Sequence, residues 1–255
     1  MKRAGGPIVE LARLTWEEAQ TVLDRGAVAL LPTGATEPHG PHLPLDTDVI
    51  IAHTAAVRAV TLLLAAGVRA LVLPPLAYAV TEYATGFAGA LSLPPSTARA
   101  LVRDVLLAAV RAGFRGVVVC NAHLEPANID ALRGGVEDAV TAGARAALPD
   151  VTRKPHALAL GEEFKSGACH AGRYETSLVL AADPFLVRDA ATSLEPNPIS
   201  LSRAIRDGKK TFLEAGGARA YFGDPAAASV AEGESLYDAL AAIFADAARN
   251  LAGGT

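Results

Sequence analysis

Cysteine, aromatic residues and positive charge are all scarce in this 255-residue sequence. The two cysteines, Cys120 and Cys169, belong to no CxxC motif, so a disulfide framework is not expected and each is predicted to be a small buried apolar residue. A formal net charge of −4 provides no electrostatic surface for nucleic acid or an anionic membrane. The expected partner is therefore a small-molecule substrate.

The sequence also lacks a long unbroken apolar segment. Residues 1–6 carry positive charge but no apolar region follows them, so a signal peptide is not expected. The apolar stretch at residues 55–66 contains Arg58 and is too short to cross a bilayer. With so little cysteine, these features predict a location in the reducing cytoplasm and no membrane partner.

An alternation of strand and helix patterns is present instead. Short unbroken apolar runs, typical of strands buried on both faces, occur at residues 27–32, 70–73 and 116–120. Helices are predicted at residues 48–67, 96–113, 126–142, 174–182 and 235–251. This alternation predicts an α/β fold with a mainly parallel sheet that is covered by helices on both faces.

Other segments give weaker signals. Ser96 is the predicted N-cap of the second helix, and residues 157–160 are a candidate strand. Residues 194–231, rich in proline, glycine and charge, are expected to form a long excursion with short helices at best. Because no repeat, linker or sharp change of composition interrupts the chain, residues 1–255 are predicted to form a single domain.

Two loops that follow predicted strands hold side chains suited to binding metal. Each loop contains a histidine and a glutamate two positions apart, so both side chains project to the same side of an extended segment. Such loops meet at the carboxyl ends of the strands, where α/β sheets bind ligands. With an aspartate at the start of the next helix, the predicted ligands are Glu37, His39, Asp48, His123 and Glu125. This set favours zinc, manganese or iron(II) over copper or calcium.

The three carboxylates of this set carry more negative charge than one divalent ion usually needs. A carboxylate shared between two ions would remove the excess, which predicts two divalent ions per chain. Asp48 is the natural bridge because it lies between the two loop pairs in sequence, but spacing alone leaves Asp46 as a competitor. The alternative role of Asp48 is an ordinary helix cap.

These residues resemble the motifs of the creatininase (creatinine amidohydrolase) family. Residues 34–48 are similar to its pattern G-[ST]-x-E-Q-H-G-P-H-L-P-x-x-T-D, and residues 170–177 are similar to H-A-G-x-x-E-T-S. Residues 86–93 resemble its G-F-P-G-T-x-S-L segment, and residues 14–18 resemble its N-terminal helix start. The resemblance spans about residues 14 to 185, which is most of the chain.

The resemblance implies a three-layer α/β/α sandwich that assembles as a homo-oligomer, usually a hexamer. It also implies that Asp48, rather than Asp46, bridges the two ions. The remaining ligands would form two pairs, Glu37 with His123 at one ion and His39 with Glu125 at the other.

The resemblance further implies the reaction, which is hydrolysis of a carbon–nitrogen bond. A water that bridges the two ions would attack an amide, cyclic amide or formamide carbon of a small molecule. His170 would lie beside the substrate and give a proton to the leaving nitrogen. Glu175 would orient His170 or a ligand, unless it is an ordinary glutamate of a first helical turn.

The sequence departs from creatininase at positions that select the substrate. Leu124 replaces an aromatic residue between two ligands, and Ser166 and Gly167 stand where a Trp-Asp pair is expected. The only tryptophan, Trp16, lies near the N-terminus, so creatinine is not the expected substrate. A peptidase or deformylase on the same scaffold is an alternative. Many members of the family carry the segment H-G-G-N after the third strand, and its replacement here by a segment that begins His123-Leu124-Glu125 argues against the peptidase. A non-catalytic metal- or ligand-binding protein is the alternative of another class, and the complete ligand set argues against it.

Overall fold

The central sheet is parallel and has four strands within residues 9–253, the part of the chain that the computed structural model describes. The strands are β1 (Val28–Thr33), β2 (Ala70–Val72), β3 (Val117–Asn121) and β4 (Ala146–Ala147). Their order across the sheet is β2-β1-β3-β4. Residues 1–6, on which the expectation of no signal peptide rests, lie outside the described residues.

Helices follow the strands and cover the sheet. The α-helices of the described chain are α1 (Trp16–Leu23), α2 (Thr47–Ala65), α3 (Pro95–Arg111), α4 (Pro126–Thr141), α5 (Gly161–Ser166), α6 (Arg173–Ala182), α7 (Leu201–Arg206) and α8 (Val230–Gly253). The predicted helix start near residue 15 is present as a capping box, in which Thr15 and Glu18 satisfy each other's backbone N–H groups.

Alternate residues of β1 point into opposite layers of the protein. Val28 and Leu30 pack in the core that contains α2, α6 and α8, whereas Ala29 and Leu31 pack in the core that contains α3 and α4. All six residues of β1 are buried, as expected for a central strand with helices on both faces. The predicted three-layer α/β/α sandwich with a parallel sheet is confirmed.

Helix α2 is more apolar than the sequence pattern suggested. It has 19 residues and a mean hydropathy of 1.6 in its most apolar window, so by length and composition alone it is able to cross a membrane. The stretch at residues 55–66, taken alone as too short, is therefore part of a longer apolar helix. Much of α2 is buried against the sheet and α8, and a core helix in this position is expected to be apolar.

Two local predictions were wrong. Ser96 is not an N-cap, because α3 already begins at Pro95, whose fixed φ suits the first position of a helix. Residues 157–160 are not a strand, since His156–Ala159 forms a 3-10 helix. The fourth strand is Ala146–Ala147, whose two residues are too few to give a period-two pattern.

Candidate metal centre

The two ligand-bearing loops start side by side at the carboxyl end of the sheet. Thr33, the last residue of β1, pairs in register with Asn121, the last residue of β3. The Thr33 hydroxyl donates to the Asn121 side-chain oxygen at 3.1 Å. This register brings the loop after β1, with Glu37 and His39, against the loop after β3, with His123.

Asp48 lies between the two histidines of these loops. Its Oδ1 is 3.3 Å from His39 Nε2, and its Oδ2 is 3.1 Å from His123 Nδ1. All three side chains are buried. The two oxygens of one carboxylate therefore face two different nitrogen ligands, an arrangement suited to bridging two cations.

Three overlapping groups of side chains bring possible ligand atoms within 4.8 Å of one another. In the first, His123 Nδ1 lies 3.2 Å from Glu37 Oε1, and both flank Asp48. In the second, His39 Nε2 lies 3.5 Å from Glu175 Oε2, again beside Asp48. A third group joins Glu37 and His39 to His170. Asp48 is common to the first two groups, and each of them offers one histidine and two carboxylates.

Glu175 enters the site from α6. A tight turn at Ala171, with φ of 51°, precedes this helix, and the Ala171 N–H donates to Glu175 Oε2 at 2.6 Å. A non-glycine residue in the left-handed region is held there by its surroundings. The turn therefore fixes Glu175 beside His39. From the sequence, Glu175 was expected either to orient His170 or a ligand, or to be an ordinary glutamate of the first helical turn.

Glu125 lies elsewhere in the site. Within residues 9–253 it belongs to none of the three ligand groups. Its carboxylate accepts the backbone N–H groups of Glu82 and Tyr83 at 3.2 and 3.1 Å. Burial raises the pKa of Glu125 to about 7. The predicted pair of His39 with Glu125 is thus not brought together, whereas the predicted pair of Glu37 with His123 is.

Backbone carbonyls orient the two histidine rings. His39 Nδ1 lies 3.1 Å from the carbonyl oxygen of Glu37, and His123 Nε2 lies 2.8 Å from that of Val80. Because a carbonyl oxygen can only accept a hydrogen bond, these nitrogens carry the N–H, and the opposite nitrogens are left to face the carboxylates. Within the described chain, His39 Nε2 has no hydrogen-bond partner despite complete burial. An orphaned ring nitrogen among carboxylates is a donor set that fits a divalent ion.

The pKa values of the clustered side chains also fit a site for a divalent ion. Burial lowers the pKa of His39, but the carboxylates of Asp48 and Glu175 outweigh it and raise the pKa to about 10. Burial raises the pKa of Asp48, but the two neighbouring histidines outweigh it and hold the pKa well below its usual value. Burial also raises the pKa of Glu175 to about 8. A divalent ion would supply the positive charge that these carboxylates need to stay ionised when buried.

His170 lies at the edge of this cluster and lines the adjoining cavity. Its Nε2 is 3.1 Å from the carbonyl oxygen of Pro38, and its ring stacks on Phe212 with centroids 4.3 Å apart. Its Nδ1 is 3.9 Å from Glu37 Oε1. Burial, with the repulsion of His39, lowers the pKa of His170 to about 4. The ring is therefore neutral near pH 7 in this environment, with Nδ1 directed at the ligand cluster.

Two residues that support the site carried no signal in the sequence. Thr81 donates from its hydroxyl to Glu37 Oε2 and so holds that carboxylate in place. Phe212 comes from the excursion at residues 194–231, which forms short helices as expected but also supplies the wall beside His170. Neither residue follows a motif spacing, because both reach the site only through tertiary folding.

A cavity of about 590 Å³ opens onto the cluster. Its inner end is lined by ligand-type side chains, including Glu37, Asp48 and Glu175. Leu124, Leu158 and Phe212 are among its apolar lining. This volume lies within the range of sites that bind small molecules.

A family model described as creatinine amidohydrolase matches residues 12–248. The mycofactocin precursor peptide peptidase of Mycobacterium ulcerans is 33% identical over 216 residues, which cover 82% of this chain and 79% of that protein. The creatinine amidohydrolase of Pseudomonas putida is 30% identical over 200 residues, which cover 70% of this chain and 74% of that protein.

Solved structures agree with this match. A crystal structure of creatinine amidohydrolase (creatininase) has a TM-score of 0.80 at 26% identity and covers 98% of this chain and all of that chain. A manganese form of creatininase has a TM-score of 0.74 at 26% identity, covering 97% of this chain and 100% of that one. A zinc–zinc form of a creatininase mutant has a TM-score of 0.78 at 25% identity, covering 98% and 100%.

Proposed function

The chain belongs to the creatininase family of hydrolases, and from this premise we propose that it is a metal-dependent hydrolase of a carbon–nitrogen bond in a small molecule. The scissile bond is the carbon–nitrogen bond of an amide, a cyclic amide or a formamide. The observation that carries the proposal is the position of Asp48, whose two oxygens face His39 Nε2 and His123 Nδ1. One shared carboxylate between two buried ligand groups is the arrangement that a two-ion hydrolase needs.

The proposed ligands follow the geometry of the groups. Glu37, Asp48 and His123 would hold the first ion. His39, Asp48 and Glu175 would hold the second ion. Glu125 is a further candidate ligand for the first ion, because it lies two residues after His123 and lines the same cavity. Zinc and manganese are the proposed metals, since related structures are named for them and the donors are imidazole and carboxylate.

When bound, two divalent ions lower the pKa of a water molecule to about 7 and polarise the carbonyl under attack. His170 keeps Nδ1 free of the backbone and directed toward the ligand cluster, so it is the proposed carrier of a proton to the leaving nitrogen. Phe212 stacks on the His170 ring and holds its plane, while excluding water from that side. Thr81 fixes the Glu37 carboxylate by donating to it.

Creatinine is a poor candidate substrate. Leu124 lines the cavity where creatininase has an aromatic residue, and Trp16 is 76% exposed on the surface. A short peptide is the second candidate substrate, favoured by the identity of 33% with a relative named as a peptide peptidase. The same cavity volume accommodates either a small amide or a short peptide.

We also propose that the protein forms a homo-oligomer and is located in the cytoplasm. Large apolar side chains are strongly exposed on this chain, among them Trp16 at 76% and Phe185 at 93%, and burial in a homo-oligomer would remove them from water. A reducing cytoplasm is the proposed location, because the sequence has only two cysteines and no CxxC motif.

A hydrolysis screen tests the proposed function. Protein loaded with zinc or manganese is incubated with cyclic amides, formamides and short peptides, and the products are followed by mass spectrometry. We expect turnover of at least one amide class and metal analysis that finds about two ions per chain. The variant His170→Ala is expected to keep its metal and lose at least about 100-fold in kcat. Metal-loaded protein that hydrolyses no amide would point instead to a binding protein.

A further inference from the structure

The outer part of the cavity has a charge opposite to that of its inner end. The acidic residues that line the cavity are the four at or beside the candidate metal centre, namely Glu37, Asp48, Glu125 and Glu175. Lys154, Lys165 and Arg206 also line it, and they come from three different segments of the described chain. A protein with a net charge of −4 thus directs three cationic side chains at one cavity.

Two of these cations are not neutralised by the protein. Lys165 forms an ion pair with the exposed carboxylate of Glu162. Within residues 9–253, neither Lys154 nor Arg206 forms a salt bridge with any acidic side chain. Unpaired charges of one sign on the walls of a cleft raise the local concentration of ligands of the opposite sign.

Apolar side chains also line the cavity. Leu201 and Ile205 lie on α7, the helix that carries Arg206, and line the same cavity, as does Leu158. A neutral amide held at the inner end would leave both cations without a partner. A substrate with an apolar middle and an anionic end would contact all three parts of the cavity.

This inference rests on the proposed function. We propose that the substrate is an amide that also bears a carboxylate away from the scissile bond, and that Lys154 and Arg206 bind this carboxylate. The planar guanidinium of Arg206 can pair with both oxygens of a carboxylate, and the ammonium of Lys154 adds a second charged donor. Acyl derivatives of ω-amino acids, and short peptides whose free C-terminus lies beyond the residue at the scissile bond, belong to this substrate class.

Matched hydroxamates test the proposal without relying on turnover. A hydroxamate group anchors each probe on the metal ions, and a chain of two to five methylene groups ends either in a carboxylate or in the corresponding neutral amide. Calorimetric titration of the zinc-loaded protein gives the Kd of each probe. At one chain length or more, we expect the carboxylate probe to bind about tenfold more tightly than its neutral partner.

Two variants test whether Lys154 and Arg206 cause the preference for the carboxylate probe. Lys154→Gln combined with Arg206→Gln is expected to remove the difference between the paired probes. Arg203→Gln is the matched control, because Arg203 lies on the same helix α7 as Arg206 but does not line the cavity. This control is expected to keep the full preference for the carboxylate probe.

The outcomes separate the two proposals. If the metal-loaded wild type binds the charged and neutral probes equally, or binds neither of them, the proposed carboxylate site is overturned. Neither result would contradict the proposal that the protein is a metal-dependent hydrolase. A preference that survives in the Lys154/Arg206 variant would also overturn it. A protein that takes up no metal would overturn the proposed function itself, and the substrate class with it.

Discussion

Asp48 lies in the first turn of α2, where the positive end of the helix dipole stabilises a carboxylate. Its Oδ2 also accepts the N–H of Ala35 at 3.2 Å, so the carboxylate is held at a fixed angle. The N-cap of α2 is Asp46, so the alternative role of Asp48 as an ordinary helix cap is wrong. One carboxylate has enough lone pairs for a backbone N–H and two cations, so the position of Asp48 inside the helix suits a bridging ligand.

The second ion provides a prediction that distinguishes the two glutamates of the site. The Glu175 carboxylate lies 3.5 Å from His39 Nε2, whereas the Glu125 carboxylate accepts the backbone N–H groups of Glu82 and Tyr83. We expect Glu175→Gln to bind only about one ion per chain, because an amide is a much weaker ligand than a carboxylate. Inductively coupled plasma mass spectrometry after gel filtration gives the occupancy.

Glu125→Gln serves as the comparison for this measurement. If the second ion is held as the geometry suggests, this variant keeps the ion at His39, and any loss falls on the ion between Glu37 and His123. Selective loss of the ion at His39 in Glu125→Gln would instead support the pairing implied by the sequence motif. Glu162→Gln changes an exposed glutamate of α5 and should leave both ions in place.

The residue pattern alone predicted ligands where they follow strands or begin the next helix, and the resemblance to a family added His170 and Glu175. Glu37, His39 and His123 lie in loops directly after β1 and β3, so a strand pattern and a two-residue step predict them. Glu175 and Phe212 are brought in by α6 and by the excursion at residues 194–231. Their proximity to the ligands depends on packing between distant segments, which spacing along the chain does not encode.

At the scale of elements, the helices and the strands of five or six residues were predicted best, because each gives a pattern that extends over several consecutive residues. The runs at residues 27–32 and 116–120 became β1 and β3 within one residue at each end. Strand β4 has two residues and pairs only with Val117 and Val118, so its formation depends on the sheet rather than on its own pattern. The weak apolar run at residues 157–160 had no such neighbour.

The contact between α3 and α4 gives a prediction at this scale. A Cβ on Gly135 would lie 2.6 Å from the backbone oxygen of Arg99 and would overlap the side chain of Val102. Neither atom can move without shifting α3, so we expect Gly135→Ala to lower the free energy of unfolding by about 1–3 kcal/mol. Urea unfolding followed by circular dichroism measures the change in midpoint.

The neighbouring glycine is a matched control. A Cβ on Gly134 would meet only the end of the flexible Arg99 side chain, at 3.0 Å. Since alanine favours a helix interior by up to about 1 kcal/mol over glycine, Gly134→Ala should be neutral or stabilising. Equal midpoints for the two variants would contradict the close contact between the helices.

At the scale of the whole molecule, the buried ligand cluster is a source of instability that the fold must offset. Glu37, Asp48 and Glu175 place three carboxylates in a water-poor interior, and the histidines beside them compensate only when they carry protons. Layers of apolar side chains on both faces of the sheet supply the stability that permits such a site. Metal binding and folding are therefore expected to be coupled.

Removal of metal tests this coupling. An ion that binds only the folded state at 100 times its Kd adds about 2.7 kcal/mol to the free energy of unfolding. For a protein of this size, each kcal/mol moves Tm by about 2–4 °C, so zinc or manganese should raise Tm by at least about 5 °C over chelated protein. Differential scanning calorimetry gives both values. Asp48→Asn, which removes the carboxylate shared by both groups, should show almost no rise on addition of metal. A wild-type Tm that is the same with chelator and with metal would mean that the cluster binds no ion in the folded protein.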